Sequence, residues 1–256
     1  MNDGIDFFKR QIRSVLVVTL CLVTSGLTAY ADEQPASRDQ VVAMLERGET
    51  DLSNLDLRGQ DLTDLDFNGA NLFGVDMRKA DLSGAKLRGC NLDMALLRGA
   101  NLTRADLRDT SLFATVLAEA TLKNSDLRGA RVMGNLQGAD LEAANLAGVR
   151  GSADMRNQPM GLVRAELAQA VLRGANLEGA QLARANLNFT DLTGANLTGA
   201  DLTLADLNGA DLTGATLTDA VLSEANVENA VFRSVKGLSS VQGFDSVRGK
   251  SLAEFD

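Results

Sequence analysis

Every fifth residue from Leu52 to Val132 is apolar, and the same spacing returns from Leu162 to Phe232. Ala stands two positions before most of these central residues, and a polar residue stands between, as in Ala-Asn-Leu-Thr-Gly at 195–199. A helix repeats every 3.6 residues and a strand every two, so neither element alone keeps residues five apart on one face. The chain must therefore turn a corner once in every unit of five.

Each unit is best explained as an extended tripeptide followed by a two-residue corner. In an extended chain, the central residue and the residue two before it point to one side, and the polar residue between them points away. The corner often ends in Gly, as at Gly194 and Gly199, where a positive φ is tolerated. Stacked units bury a column of Leu beside a column of Ala. The pattern predicts an all-β solenoid.

The units from about Thr50 to Ser234 resemble the pentapeptide repeat family, whose consensus is Ala-(Asp/Asn)-Leu-X-X. The resemblance implies a right-handed quadrilateral β-helix with four units in each coil. With that coil size, the units of this chain predict about nine coils.

Interruptions of the repeat predict the boundaries of two blocks. One residue is missing near Gly134, and the segment 149–161 has no repeat. We therefore expect a first block at 50–148, a loop or bend at 149–161, and a second block at 162–234.

The two ends of a solenoid need protection, because they expose core and unpaired backbone. Ser37 and Gln40 have capping-box spacing, which predicts a short helix at about 38–47 within an N-terminal cap at 32–49. The residues 235–256 lose the five-residue spacing but keep apolar side chains. They are expected to form a C-terminal cap or, alternatively, a dimer contact.

Residues 1–31 have the pattern of a cleaved signal peptide. Basic residues precede the apolar run 15–23, and Ala29-Tyr30-Ala31 has cleavage-site spacing. The mature chain would begin at Asp32, would be exported, and would not span a membrane. The periplasm is the favoured location, with secretion or a thylakoid-lumen type of location as alternatives. A lipoprotein at Cys21 is disfavoured because Leu20 precedes it.

Composition excludes several kinds of chemistry. The chain has no His and no Trp, and its single Tyr lies within residues 1–31, which excludes His-based triads and His metal sites. The recurring Asp residues are explained by the outward position of the repeat. Cys90, the only cysteine after residue 31, stands at a small inward position and is expected to be a buried structural thiol. We predict no catalytic residue, no cofactor, no metal site and no small-molecule substrate.

Two sets of charged residues are candidate sites. With 20 residues in a coil, six arginines form two stacked rows: Arg58, Arg78 and Arg98, and Arg88, Arg108 and Arg128. These arginine ladders either pair with neighbouring Asp residues or bind an anionic partner. The second block is acidic, with seven acidic residues and no Lys or Arg from Ala185 to Phe232. Its candidate acidic face is Asp191, Asp201, Asp206 and Asp211.

An apolar patch is the strongest candidate for a binding site. Six apolar residues occupy outward positions of the first block: Phe73, Met94, Leu96, Phe113, Val116 and Met133. Contiguous exposed apolar surface usually marks a contact, so we expect binding of a protein partner or self-association, including a possible homodimer. The alternative is that the segment 149–161 folds back and covers the patch.

These observations favour a non-enzymatic, exported scaffold or protein-interaction rod. The net charge of −9 disfavours binding of nucleic acid through its phosphates. Family resemblance supplies the alternative of a DNA-mimicking, topoisomerase-binding protein of the quinolone-resistance type, if the chain is cytoplasmic. A carboxylate-dependent hydrolase is a remote alternative, because a convex solenoid offers no evident cleft.

Overall fold

The computed structural model describes residues 34–153 and 163–256. Most of these residues form coils that stack through short parallel β-bridges rather than long strands. The regular elements are helix α1 (Arg38–Glu46), strands β1 (Ser111–Val116), β2 (Arg131–Asn135), β3 (Val231–Phe232) and β4 (Glu254–Phe255), and three 3₁₀ turns (Leu238–Ser240, Phe244–Ser246, Lys250–Leu252). No helix within the described ranges is long and apolar enough to span a bilayer.

The coils have four sides. Regular bridges join outward residues 20 positions apart, for example Asp51 to Asn71, so four units of five complete one coil. We number the sides by the first bridged residue of each: Asp51 for side 1, Asp56 for side 2, Asp61 for side 3 and Asp66 for side 4. Side 1 then continues through Asn71, Asn91, Ser111, Arg131, Arg150, Gln181, Asp201, Val221 and Gln242.

The core consists of the central residues and the small residues two positions before them. Leu97 and Leu192 are 0% exposed, and Ala95 and Ala195 beside them are buried equally well. Thr and Ser in the small position bond their hydroxyls to backbone carbonyls, as Thr115 does to Leu92 O at 2.7 Å. The large and small inward residues therefore fill the interior without leaving these hydroxyls unpaired.

Hydrogen-bond geometry explains why Asp or Asn recurs before the central residue. In the unit around Leu212, the N–H groups of Asp211, Leu212 and Gly214 all donate to carbonyls of adjacent coils. The N–H of Thr213 donates instead to Asp211 Oδ1 at 2.9 Å. A side-chain acceptor two residues earlier is the Asx-turn arrangement. The polar residue of the repeat thus completes the backbone hydrogen bonding of the corner.

We predict that Asp211→Ala lowers the free energy of unfolding by about 0.5–1.5 kcal/mol, because the Thr213 N–H loses its acceptor. Asp211→Asn keeps an acceptor oxygen and is expected to be nearly neutral. Urea denaturation followed by circular dichroism measures both. Equal destabilisation by Ala and Asn would show that the charge matters rather than the acceptor.

The predicted one-residue deletion lies at the corner between sides 1 and 2. The residues 111–113 pair in register with the residues 131–133, which are 20 positions later. Val116, however, pairs with Asn135, which is only 19 positions later. One corner residue is therefore missing from the second of these coils.

The insertion lies at the same corner of the next coil. Val149 is buried, Arg150 bridges Gln181, and the Gly151 N–H donates to Gln181 O at 2.7 Å. The residues 149–151 thus form a repeat unit, with Gly in place of Leu, although the sequence led us to expect a loop there. Bridges continue across the insertion, from Asn135 to Glu166 onwards, so it leaves the stack unbroken. The residues 154–162, including the expected central Leu162, lie outside the described ranges, as do residues 1–33 with the expected signal peptide.

Helix α1 covers the first coil. Ser37 Oγ accepts from Gln40 N at 3.4 Å, and Gln40 Oε1 accepts from Ser37 N at 2.8 Å, which is a capping box. Val41 is fully buried, and Met44 and Leu45 pack against the core.

The C-terminal residues form a further coil instead of a separate lid. Lys236, Gln242, Arg248 and Glu254 bridge the preceding coil on all four sides, and they are six residues apart. Gly237, Gly243 and Gly249 take the central position with positive φ, and a 3₁₀ turn follows each. A Cβ on Gly237 would lie 2.7 Å from Thr218 Cα, so only Gly fits this close approach. Phe232, Phe244 and Phe255 pack together at this end.

Candidate interaction surface

The six residues of the expected patch lie together along one corner of the first block. The corner between sides 1 and 2 carries an apolar residue in each of four consecutive coils, and side 2 adds two more. We call this set the corner strip: Phe73, Met94, Phe113 and Met133 at the corner, with Leu96 and Val116 on side 2.

The residues of the corner strip differ in exposure, and the last corner residue is buried. Phe73 is 38% exposed and Met94 is 55% exposed, whereas Met133 is only 6% exposed. Phe113 lies under a guanidinium, with Arg131 Cζ 4.4 Å from the ring centroid. The apolar surface that a partner can contact therefore centres on Phe73 and Met94, and Met133 does not contribute to it as expected.

A shallow cavity of about 230 Å³ lies at the covered end of the strip. It is lined by residues of three consecutive coils, including Thr115, Val116, Met133, Gly134, Arg164 and Glu166. Gly134 of the shortened corner lies in its wall, and the chain that returns from the insertion forms another part of the wall.

The two arginine ladders lie on the outer edges of the two sides that meet at the corner strip. Arg58, Arg78 and Arg98 follow side 2, and Arg88, Arg108 and Arg128 precede side 1. Each of the six contacts a carboxylate: Arg58–Asp56 at 2.6 Å, Arg78–Asp76 at 2.6 Å, Arg88–Asp109 at 3.3 Å, Arg98–Glu119, Arg108–Asp106 at 2.5 Å and Arg128–Asp126 at 2.6 Å.

The arginine that follows two residues later lowers the pKa of four of these carboxyl groups, those of Asp56, Asp76, Asp106 and Asp126. Hydrogen bonding from Arg78 holds the pKa of Asp76 below its usual value, and Arg108 does the same for Asp106. The pKa of each of these arginines is raised in turn by its carboxylate. Since the side chains are partly solvated, each pair contributes little to stability. The ladders present paired rather than free guanidinium groups.

The four residues of the expected acidic face do not share a face. Asp191 and Asp211 lie on side 3, Asp201 on side 1 and Asp206 on side 2. The expectation was wrong because residues five or ten apart fall on different sides, and only those 20 apart align. All four carboxylates accept the N–H two residues later, so each has a structural role.

Cys90 is a buried thiol. It is 1% exposed, and its Sγ donates to Phe67 O at 3.0 Å. Burial raises the pKa of the thiol from 9.0 to about 11. This excludes a reactive thiolate at neutral pH.

The raised pKa of Cys90 predicts a pH dependence of stability. The unfolded thiol ionises near pH 9 and the folded thiol near pH 11, so the stabilising contribution is complete below pH 9 and is lost as pH rises through 11. Relative to Cys90→Ala, the wild type should lose at most about 1.4 kcal/mol per pH unit in this window. Urea denaturation of both proteins at pH 8 and pH 10.5 measures the change. If the free energies of unfolding of the two proteins differ by the same amount at both pH values, the prediction is contradicted.

The described residues hold no group of His, Cys, Asp and Glu side chains arranged to bind a metal ion. Two features of the surface were missed by sequence reasoning. Phe189 is 60% exposed at the corner between sides 2 and 3, and its ring lies over Gly209. Arg131 and Arg150 lie in adjacent coils of side 1, and their alignment follows from the one-residue deletion.

The pentapeptide repeat family model matches the chain in eight copies, at residues 49–78, 80–117, 95–132, 162–199 and 200–236. The chain belongs to the pentapeptide repeat family. Proteins of this family form right-handed quadrilateral β-helices, in agreement with the four sides described above, and are generally non-enzymatic structural or binding proteins. A search of curated proteins found no match.

Several solved pentapeptide repeat structures are similar to this chain. HetL of Nostoc sp. strain PCC 7120, involved in regulating heterocyst differentiation, is 28% identical over 86% of this chain and 94% of its own, with a TM-score of 0.32. A thylakoid-lumen protein of Arabidopsis thaliana is 29% identical over 51% of this chain and 81% of its own, with a TM-score of 0.25. QnrB1, a plasmid-mediated fluoroquinolone resistance protein, is 20% identical over 80% of this chain and 89% of its own, with a TM-score of 0.36.

Proposed function

We propose that this pentapeptide repeat protein is a non-enzymatic, exported interaction protein that binds a protein partner through the corner strip. The observation that carries the proposal is the exposure of Phe73 and Met94 in consecutive coils of one corner. Aromatic residues and Met are enriched in the cores of protein interfaces. The paired arginines on either side would form the polar rim of such an interface.

Capture of the partner by the purified chain, with chemical cross-linking, tests the corner strip. Phe73→Asp with Met94→Asp is expected to abolish capture, because it places charges at the centre of the contact. Both residues are exposed, and Asp tolerates the positive φ of Met94, so folding should be preserved. Phe189→Asp is the matched control, since this exposed aromatic lies at another corner. Capture that survives the double substitution would remove the corner strip from the proposal.

Export is tested separately by the mass and location of the natural chain. The proposal expects a mature N-terminus at Asp32 in an exported fraction. An intact chain in the cytoplasm would reject export and would favour the topoisomerase-binding alternative.

A further inference from the structure

Arg131 and Arg150 are two stacked cations in the middle of side 1. They occupy the outward position of adjacent coils and are bridge partners. Arg131 lies on the Phe113 ring, and Arg150 Nη2 donates to Gly129 O at 3.1 Å. Among the described residues, neither guanidinium has a carboxylate oxygen within 4.0 Å, unlike the six arginines of the ladders. Most of their N–H donors are therefore available to a carboxylate from outside.

Three carboxylates lie on or beside the same side, farther along the stack. Asp201 is on side 1, two coils beyond Arg150. Asp219 and Glu224 are exposed at the two corners that flank side 1 at the level of Val221. No Lys or Arg nitrogen of the described chain lies within 4.0 Å of these three carboxylates. Side 1 is thus basic in its middle coils and acidic in its later coils.

We propose that side 1 is a self-association surface on which a second copy of this chain packs in antiparallel orientation. A two-fold axis that crosses side 1 at the level of Gln181 brings Arg150 of each copy to Asp201 of the other. The same rotation brings Arg131 of one copy to the level of Val221 of the other copy, between Asp219 and Glu224 of that copy. Every contact occurs twice, as the symmetry of an isologous dimer requires.

The spacing of the charges favours a second copy over another anionic partner. Along side 1, the bridges place Arg150 one coil before Gln181 and Asp201 one coil after it, so one level corresponds to one coil. Arg131 and Val221 are likewise two levels away on either side, about 10 Å at the spacing of β-strands. A polyanion such as nucleic acid would meet the net charge of −9 of the whole chain, whereas a second copy brings Asp201, Asp219 and Glu224 to the two guanidinium groups of side 1. The proposed dimer contact is separate from the binding proposed above, because it uses side 1 and not the corner strip.

Sedimentation velocity of the purified chain across a range of concentrations tests the proposal. The wild type is expected to dimerise, with an apparent Kd that rises with salt because the contacts are ionic. Arg131→Glu with Arg150→Glu is expected to raise the Kd at least tenfold. The matched control is Lys79→Glu with Arg104→Glu, which makes the same change of charge at two other exposed cations and should change the Kd by less than about twofold.

A charge exchange then identifies the contacting residues. Asp201→Arg with Glu224→Arg should also weaken self-association, because its basic segments face each other. A mixture of this variant with Arg131→Glu/Arg150→Glu should form a heterodimer at concentrations where each alone is monomeric. A wild type that stays monomeric at millimolar concentration, a control variant that dissociates equally, or a mixture that forms no heterodimer would each overturn the proposal. The variant with Phe73→Asp and Met94→Asp should still dimerise. A failure of the dimer proposal would therefore not decide whether the corner strip binds a protein partner.

Discussion

Replacing Leu97 with Ala is expected to lower the free energy of unfolding by about 2–5 kcal/mol. Leu97 is 0% exposed, and its side chain fills the interior between the coils above and below it. Backbone bridges hold those coils together, so the cavity cannot be closed by moving one coil alone. The same substitution at Leu96 should cost less than about 1 kcal/mol, because this residue faces outward on side 2 and is only partly buried.

The pair of neighbouring leucines is a direct test of which way the repeat faces. Urea denaturation of Leu97→Ala, Leu96→Ala and the wild type measures the two effects, and circular dichroism of the native proteins checks that the coils still form. Similar losses of stability at both positions would show that Leu96 is as much a part of the core as Leu97. A larger loss at Leu96 would reverse the proposed orientation of the repeat.

The five-residue repeat was sufficient to predict which side chains are inside, because extended tripeptides alternate their side chains strictly. Ala95 and Leu97 are buried and Leu96 faces outward, although all three are apolar. The position within the repeat decides the orientation more strongly than the hydrophobicity of the residue does. The deletion near Gly134 was visible for the same reason, since it shifts the position of every later central residue by one.

The C-terminal coil was not predicted because its units are six residues long and have Gly in the central position. A pattern was present, since Val235-Lys-Gly237 is followed by Val241-Gln-Gly243 and Val247-Arg-Gly249. This pattern is not detected when a large apolar residue is required in the central position. In these units the extra residue forms a 3₁₀ turn, and Gly allows the close contact with the coil before it.

The site was only partly predictable. Sequence spacing aligned the members of each arginine ladder, but their carboxylate partners depend on side-chain conformations that the repeat does not specify. The stacking of Arg131 with Arg150 was missed because these residues are 19 apart instead of 20. A deletion on one corner thus changes which surface residues become neighbours on the next coil, while the core positions remain filled.

Gly134→Ala is expected to lower the free energy of unfolding by about 3 kcal/mol, the upper part of the range for overpacking. A Cβ at this position would lie 2.5 Å from Thr115 O and 3.1 Å from Leu112 O, which are backbone atoms of the preceding coil. They cannot move without disturbing β1 and its pairing with β2. Gly148→Ala is the control, because a Cβ there has no atom within 4 Å and only the positive φ is unfavourable, at about 1–2 kcal/mol.

Hydrogen exchange distinguishes local overpacking at Gly134 from a general loss of stability. The Glu166 N–H donates to Gly134 O at 3.0 Å, across the level at which the insertion enters the stack. In Gly134→Ala this amide should exchange faster than in a variant of equal global stability, such as a suitable Leu→Ala substitution in the second block. Two results would show that the shortened corner can move away from the preceding coil. One is exchange of this amide that follows global stability alone, and the other is a loss of free energy of unfolding in Gly134→Ala no larger than in Gly148→Ala. The close packing of the two coils would then not be what requires glycine at position 134.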